Sequence, residues 1–263
     1  MTTDQLPLRV DPAQTTTAIA GELVASLPIS YRASDAADAA VVLVDGRAPD
    51  WVAAAGAVPA TAVALVLDPG IADPPAVRAL LASGARVALS ETWAGNPAVA
   101  AARNAWHADL AAAALVEVAV LERTAGADAS ELVLRALRVA LALGIDVASL
   151  DVVTGGDRGR VVTGQLGSGG FVTLVVTRSD AAPPSVRVDV AAPDAGITLE
   201  LADGATARPA RARRVSRTDA LELPTVWQTA HRSSLQRIHA LGAGAAIDDL
   251  AGFAAALELL PPG

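Results

Sequence analysis

The rhythm of hydrophobic positions changes once along this chain, near residue 113. Before that point, short apolar runs rich in valine and leucine, "LPLRV", "ISYRA", "AVVLVDG", "TAVALVLDPG" and "ARVALSE", alternate with alanine-rich stretches of helical spacing. Runs that are apolar on both sides of the backbone suit parallel strands covered by helices on both faces. Two of the helices announce their starts, Asp73 before Pro74 and Asn96 before Pro97. A side-chain oxygen at that place accepts a free amide, and proline at the first helical position sacrifices no hydrogen bond. The pattern predicts a doubly wound, Rossmann-like parallel sheet over residues 1–113.

Beyond residue 113, "LVEVAVLERT" reads as a strand and "DASELVLRALRVALALG" as an amphipathic helix ending at Gly144. Strands then follow in series, "VASLDVVTG", "RGRVVTGQLG", "GFVTLVVTRS", "SVRVDVAAP" and "GITLELADG", separated by Gly, Asp and Pro turn signals. Two helical stretches, "TVWQTAHRSSLQRIHALG" and "IDDLAGFAAALELL", close the chain. Residues 114–263 are therefore expected to form an α+β domain, an open and mainly antiparallel sheet with helices on one face. The apolar run "FVTLVVT" would leave an exposed surface on that sheet, which predicts a homodimer or hetero-oligomer through it.

Composition narrows the chemistry. The net charge of -8 argues against nucleic acid, whose phosphates are held by clustered cations. No uncharged apolar run approaches the length of a membrane span, and the N-terminus carries no basic start or apolar core of a signal peptide, so a cytoplasmic location is expected. Cysteine is absent, which removes disulfides, thiolate metal sites and a thiol nucleophile. All 20 cationic residues are arginine. Without lysine, Schiff-base and lysine acid–base mechanisms are closed, because a guanidinium holds its proton. Of the 3 histidines, His231 and His239 lie about 12 Å apart along one expected helix and His107 is on another, so no metal site is expected. Trp227 and His231, one helical turn apart, are expected to stack. The run "RPARARRVSR" reads as a solvated hairpin balanced by Asp203, Asp219 and Glu222.

Three segments resemble the Gfo/Idh/MocA (glucose-fructose oxidoreductase and inositol dehydrogenase) family. "PPAVRALLASGARVALSETWAG" looks like the family's helix and strand that end in a Glu-Lys-Pro motif. "ASELVLRALRVALALGIDVASLDVV" looks like the helix and first sheet strand of its second domain, and "VRVDVAAPDAGITLELADG" like the strands around its Gly-Thr-Glu-Gly type turn. The resemblance implies an NAD(P)-dependent oxidoreductase fold. In the register set by Gly84 and Val87, Glu91 stands where the family has its catalytic lysine; a shift of one residue puts Thr92 there instead. Glu91 and Thr92 are thus the candidate catalytic residues. The helix histidine the family uses is missing from Ser130 to Gly144.

The coenzyme signals are similarly altered. A dinucleotide fold needs glycines directly after its first strand so that the backbone can approach the diphosphate. Here that turn reads "RVDPAQTTTAIAGELV", and Gly21 already lies inside the following helix. Thr15, in a hydroxyl cluster, and Asp35, after the second strand, are the candidate cofactor-binding residues, each with helix capping or a solvated turn as the competing role. No bound cofactor is expected, with NAD(P) as the alternative. Three functions follow from these readings: a homologue that has lost hydride transfer and serves as a binding or partner subunit, an active NAD(P)-dependent oxidoreductase on a sugar-like or other hydroxyl substrate, or a non-catalytic small-molecule binding protein.

Overall fold

The computed structural model describes residues 5–10, 23, 27, 28, 30–35, 39–206, 208–241, 247 and 249–261. They form two compact units, Met1–Gly95 with Ala230–Leu257, and Asn96–Thr229 with Glu258–Gly263.

The first unit is built on five parallel strands: β1 (Leu6–Val10), β2 (Tyr31–Ala33), β3 (Val41–Asp45), β4 (Val63–Leu67) and β5 (Val87–Ser90), in the order β2-β1-β3-β4-β5. All five predicted runs are strands, and β4 and β5 are buried at every position, as the two-sided apolar pattern requires. Between them lie helices α1 (Trp51–Gly56) and α2 (Pro74–Ala82). The Asp73 carboxylate accepts from the Ala76 amide at 3.2 Å and so caps α2. In such a sheet the strand order reverses direction between β1 and β3, and ligands of this architecture gather beyond the carboxyl ends of the strands near that point.

The second unit holds α3 (Pro97–Ala111), β6 (Leu115–Glu122), α4 (Ala129–Ala142), β7 (Val147–Gly156), β8 (Gly159–Leu166), β9 (Phe171–Arg178), β10 (Ser185–Ala191), β11 (Ala195–Ala202), β12 (Arg211–Ser216) and β13 (Ala220–Glu222). Its eight strands run β13-β12-β11-β10-β6-β9-β8-β7, with only β6 and β9 parallel. Burial alternates along β11 and β9, and the buried set, Val116, Val118, Val120, Val172, Leu174 and Val176 among it, faces the apolar stripe of α4. The opposite face carries exposed Leu115 and Phe171 and the ion pairs of Arg187 with Asp189 and Glu200 at 2.6 and 2.9 Å. The arginine run is a hairpin whose acids are only in part the expected ones: Glu222 lies opposite Arg213 and Asp219 bonds Arg214 at 3.2 Å, while Glu200 opposite Arg211 and Asp109, 2.7 Å from Arg214, were not foreseen.

The units depart from a division at residues 113 and 114 in two places. Helix α3 packs against β11 and β12 and belongs with the second sheet. The closing helices α5 (Ala230–Leu241) and α6 (Asp249–Leu259) return to the parallel sheet, where Leu235 and Ile238 join Leu8, Leu43, Leu65 and Ala88 in one core. Burying those side chains against an apolar sheet is favourable at about 25 cal/mol per Å², and only the folded chain shows that this sheet lacked a cover. Helix α5 also starts later than its apolar spacing suggests. Ala210 bridges Val226 instead, so the segment before Ala230 is extended.

Candidate functional site

The polar groups of the first unit converge beyond the carboxyl ends of β4 and β5. Asp68 follows β4 in a left-handed backbone conformation, φ 47°, which Asp tolerates better than most side chains. Its own amide donates to the Ser90 carbonyl at 2.9 Å, which holds the two strand ends together. The Asp68 carboxylate, 6% exposed as a residue, accepts from the Thr92 amide at 2.7 Å, the Thr92 hydroxyl at 2.9 Å and the Arg47 guanidinium at 2.9 Å. His231, at the start of α5, enters from above: its Nδ1 lies 2.8 Å from the Ser90 hydroxyl and its Nε2 3.4 Å from the Thr92 hydroxyl and 3.9 Å from Asp68. With the ring proton on Nε2, facing the carboxylate, Nδ1 accepts from Ser90. Burial pushes the His231 imidazole below its ordinary pKa, the Asp68 charge opposes that shift, and Arg47 adds to it.

Serine, histidine and aspartate in sequence of contact have the composition of an acyl-transfer triad. Ser90, however, is 0% exposed, so its hydroxyl meets no substrate and the group works as a buried clasp between α5 and the sheet. A second clasp lies beside it, where the Asp249 carboxylate takes the Leu89 amide at 2.8 Å and the Arg237 guanidinium at 2.8 Å.

The candidate catalytic residues Glu91 and Thr92 are therefore placed together at the end of β5, and they differ in what they touch. Thr92 is turned onto Asp68 by both its amide and its hydroxyl. Glu91 is half-buried, its carbonyl closes a turn with the Gly95 amide at 2.9 Å, and its charge acts on Arg237. Asp35 is exposed after β2 at the opposite edge of the sheet, four strand spacings of about 4.8 Å from β5. Thr15 lies outside the described residues. The expected stacking of Trp227 on His231 is corrected: Trp227 precedes α5 and is 68% exposed, while His231 is bound to Ser90.

Sequence reasoning missed Asp68, Arg47 and His231 as one group. Its only local trace is "LDPG", an acid between a strand and a Pro-Gly turn. Gly46 in the neighbouring turn is a packing glycine, since a Cβ there would come within 2.5 Å of the Leu67 carbonyl oxygen. Among the described residues no cluster of three or more His, Asp or Glu could hold a metal ion, and no helix is long and apolar enough to cross a membrane.

A doubly wound parallel sheet with a polar crest, followed by an open antiparallel sheet, is the architecture of a two-domain dinucleotide-fold oxidoreductase. Solved structures agree over nearly the whole chain. UDP-N-acetylglucosamine 3-dehydrogenase GnnA from Acidithiobacillus ferrooxidans is 16% identical, with 97% of each chain covered and a TM-score of 0.68. The 3-ketoreductase KijD10 from Actinomadura kijaniata, in complex with NADP and TDP-benzene, is 11% identical over 96% of this chain and 95% of its own, with a TM-score of 0.65. GenD2 from gentamicin A biosynthesis, in complex with NAD, is 13% identical over 97% of this chain and 93% of its own, with a TM-score of 0.62. No protein-family model and no curated protein sequence matches the chain. The fold is that of Gfo/Idh/MocA-type oxidoreductases.

Proposed function

We propose that this chain is an oxidoreductase-fold protein that does not transfer hydride and acts as a binding or partner subunit. The observation that carries this reading is the engagement of the β5 crest. Where the family resemblance puts an ammonium donor, Glu91 brings a carboxylate, and Thr92 in the neighbouring register is committed to Asp68. Oxidising or reducing a hydroxyl requires a group that exchanges its proton near neutrality. The chain has no lysine to supply that ammonium, and among the described residues the imidazole at the crest is bound to the buried Ser90.

The coenzyme test points the same way. A diphosphate sits well on glycine backbone amides and cationic charge. The turn after β1, where such a diphosphate would lie, is outside the described residues; the ends of β3, β4 and β5 carry the carboxylates of Asp45, Asp68 and Glu91, and the Arg47 guanidinium there faces Asp68. Titration of the purified protein with NADH and NADPH, followed by nicotinamide fluorescence or calorimetry, is expected to show no saturation in the micromolar range. A micromolar Kd for either would overturn the reading.

A second reading is favoured by the neighbours. KijD10 and GenD2 hold NADP and NAD, so an active NAD(P)-dependent enzyme on a sugar nucleotide is the alternative. It requires Glu91→Gln to abolish turnover with the fold intact, and an unchanged rate would remove Glu91 from the chemistry.

As a partner subunit, the chain offers the open face of its second sheet, and the occupant we assign is a second copy. Exposed Leu115 and Phe171 pair at the start of β6 and β9 on the sheet that also carries Arg187, Asp189 and Glu200, so a two-fold arrangement can bury the apolar groups and set each charge against its opposite. Light scattering at micromolar concentration should give the dimer mass; the monomer mass would contradict the pairing.

A further inference from the structure

We propose that His231 is an acid-sensitive latch: protonation of its imidazole opens the first turn of α5 and frees the segment from Ser90 to Thr92 at the end of β5. With the neutral ring's proton on Nε2, facing Thr92 and the Asp68 carboxylate, Nδ1 accepts from the Ser90 hydroxyl. A second ring proton turns Nδ1 into a donor aimed at a hydroxyl that was donating to it. Ser90 must then reverse, and its own hydrogen, in a place with no solvent access, needs a new acceptor.

The charges around the ring do not welcome the new cation. Asp68 reaches it from the end of β4 at 3.9 Å, but that carboxylate already faces the Arg47 guanidinium at 2.9 Å from the turn after β3. Ser90 and Thr92, from β5, are neutral. Glu91 acts on Arg237, which is paired with Asp249, and the neighbouring Arg232 on α5 adds a further exposed positive charge. A protonated His231 would thus be a second cation beside one carboxylate.

The rest of α5 is anchored independently. Leu235 and Ile238 are in the core, the Tyr31 hydroxyl donates to the Leu235 carbonyl at 2.8 Å, and Arg237 holds Asp249. Opening is therefore confined to the turn that carries His231, and its consequence falls on Thr92, whose two bonds to Asp68 lose their cover.

Amide hydrogen exchange at pH 7.5 and 5.5, expressed as protection factors, reads this directly. In the wild-type chain, segment 230–236 should lose about tenfold protection on acidification, while 237–241 and helix α4 change by less than about twofold. In His231→Asn, whose side-chain oxygen can still accept from Ser90, the pH effect on 230–236 should vanish. Loss of equal size in both chains, or none in the wild type, would overturn the latch. Should the variant fail to fold, the three imidazole signals of the wild type decide the matter by NMR. A His231 midpoint at or above the ordinary histidine value of 6.5 would overturn the proposal just as surely.

Discussion

Two polar networks in this molecule use the same kinds of group and differ in where they stand. At the crest of the parallel sheet, Asp68 binds Arg47 and Thr92 with its side chain 5% exposed. On the open face of the second sheet, Arg187 binds Asp189 and Glu200, with side chains 53%, 40% and 50% exposed. Water competes for every bond of the second network and for few of the first. The surface network therefore gives solubility and a patterned face at little gain in stability, whereas removing Asp68 from the crest takes the acceptor from the Thr92 amide and hydroxyl, with only the half-exposed Arg47 able to turn to water. The lesson is that the short distances in both places carry different energies, and burial decides which.

Asp68→Ala is the harshest way to break the crest. It strips the acceptor from the Thr92 amide and hydroxyl and from Arg47. A loss of about 3 kcal/mol in urea unfolding is expected, since bonds to a buried charged group are each worth about 1.5–3 kcal/mol. A loss under about 1 kcal/mol would place the crest level with the surface. Ser90→Ala should cost about 2 kcal/mol by orphaning the His231 Nδ1.

Tyr31 sharpens the contrast from a third position. Burial raises its phenol from 10.0 to about 12, and the Tyr31 hydroxyl donates to Leu235. Because the folded pKa lies above the unfolded one, this contribution is fully present below pH 10 and lost as pH rises toward about 12. The chain has one tyrosine, so tyrosinate absorbance near 295 nm reports this group alone; a midpoint near 10 would show it to be solvated. Tyr31→Phe should cost about 1 kcal/mol at neutral pH and remove the alkaline loss.

Acid acts on the crest with the opposite sign. His231 is held below its ordinary value of 6.5, chiefly by burial, so its contribution is intact above pH 6.5 and declines as pH falls below it. Unfolding midpoints of wild type and His231→Asn should converge through that window. The smallest effect is expected at the surface: Arg187→Ala should change stability by less than about 1 kcal/mol, and less still at high salt.

Much of the fold was legible in the sequence because its signals are local. Five apolar runs became five parallel strands, and Asp73, Asn96 and Asp128 each accept the amide of a helix's first turn. The position of Glu91 and Thr92 at the end of β5 could also be read, since strand and following turn are contiguous. The partners of Thr92 could not. Asp68 lies 24 residues upstream and His231 139 downstream, and no spacing rule connects them.

The chain by itself determined its element types, its alternation of burial and its lack of lysine, because each of these is a property of neighbours or of composition. Only the tertiary structure decided that α5 returns to the parallel sheet and brings His231 to Ser90. That choice belongs to burial: an uncovered apolar face takes whichever helix can reach it, and the polar groups at its rim are then paired by proximity, which no pattern along the sequence encodes.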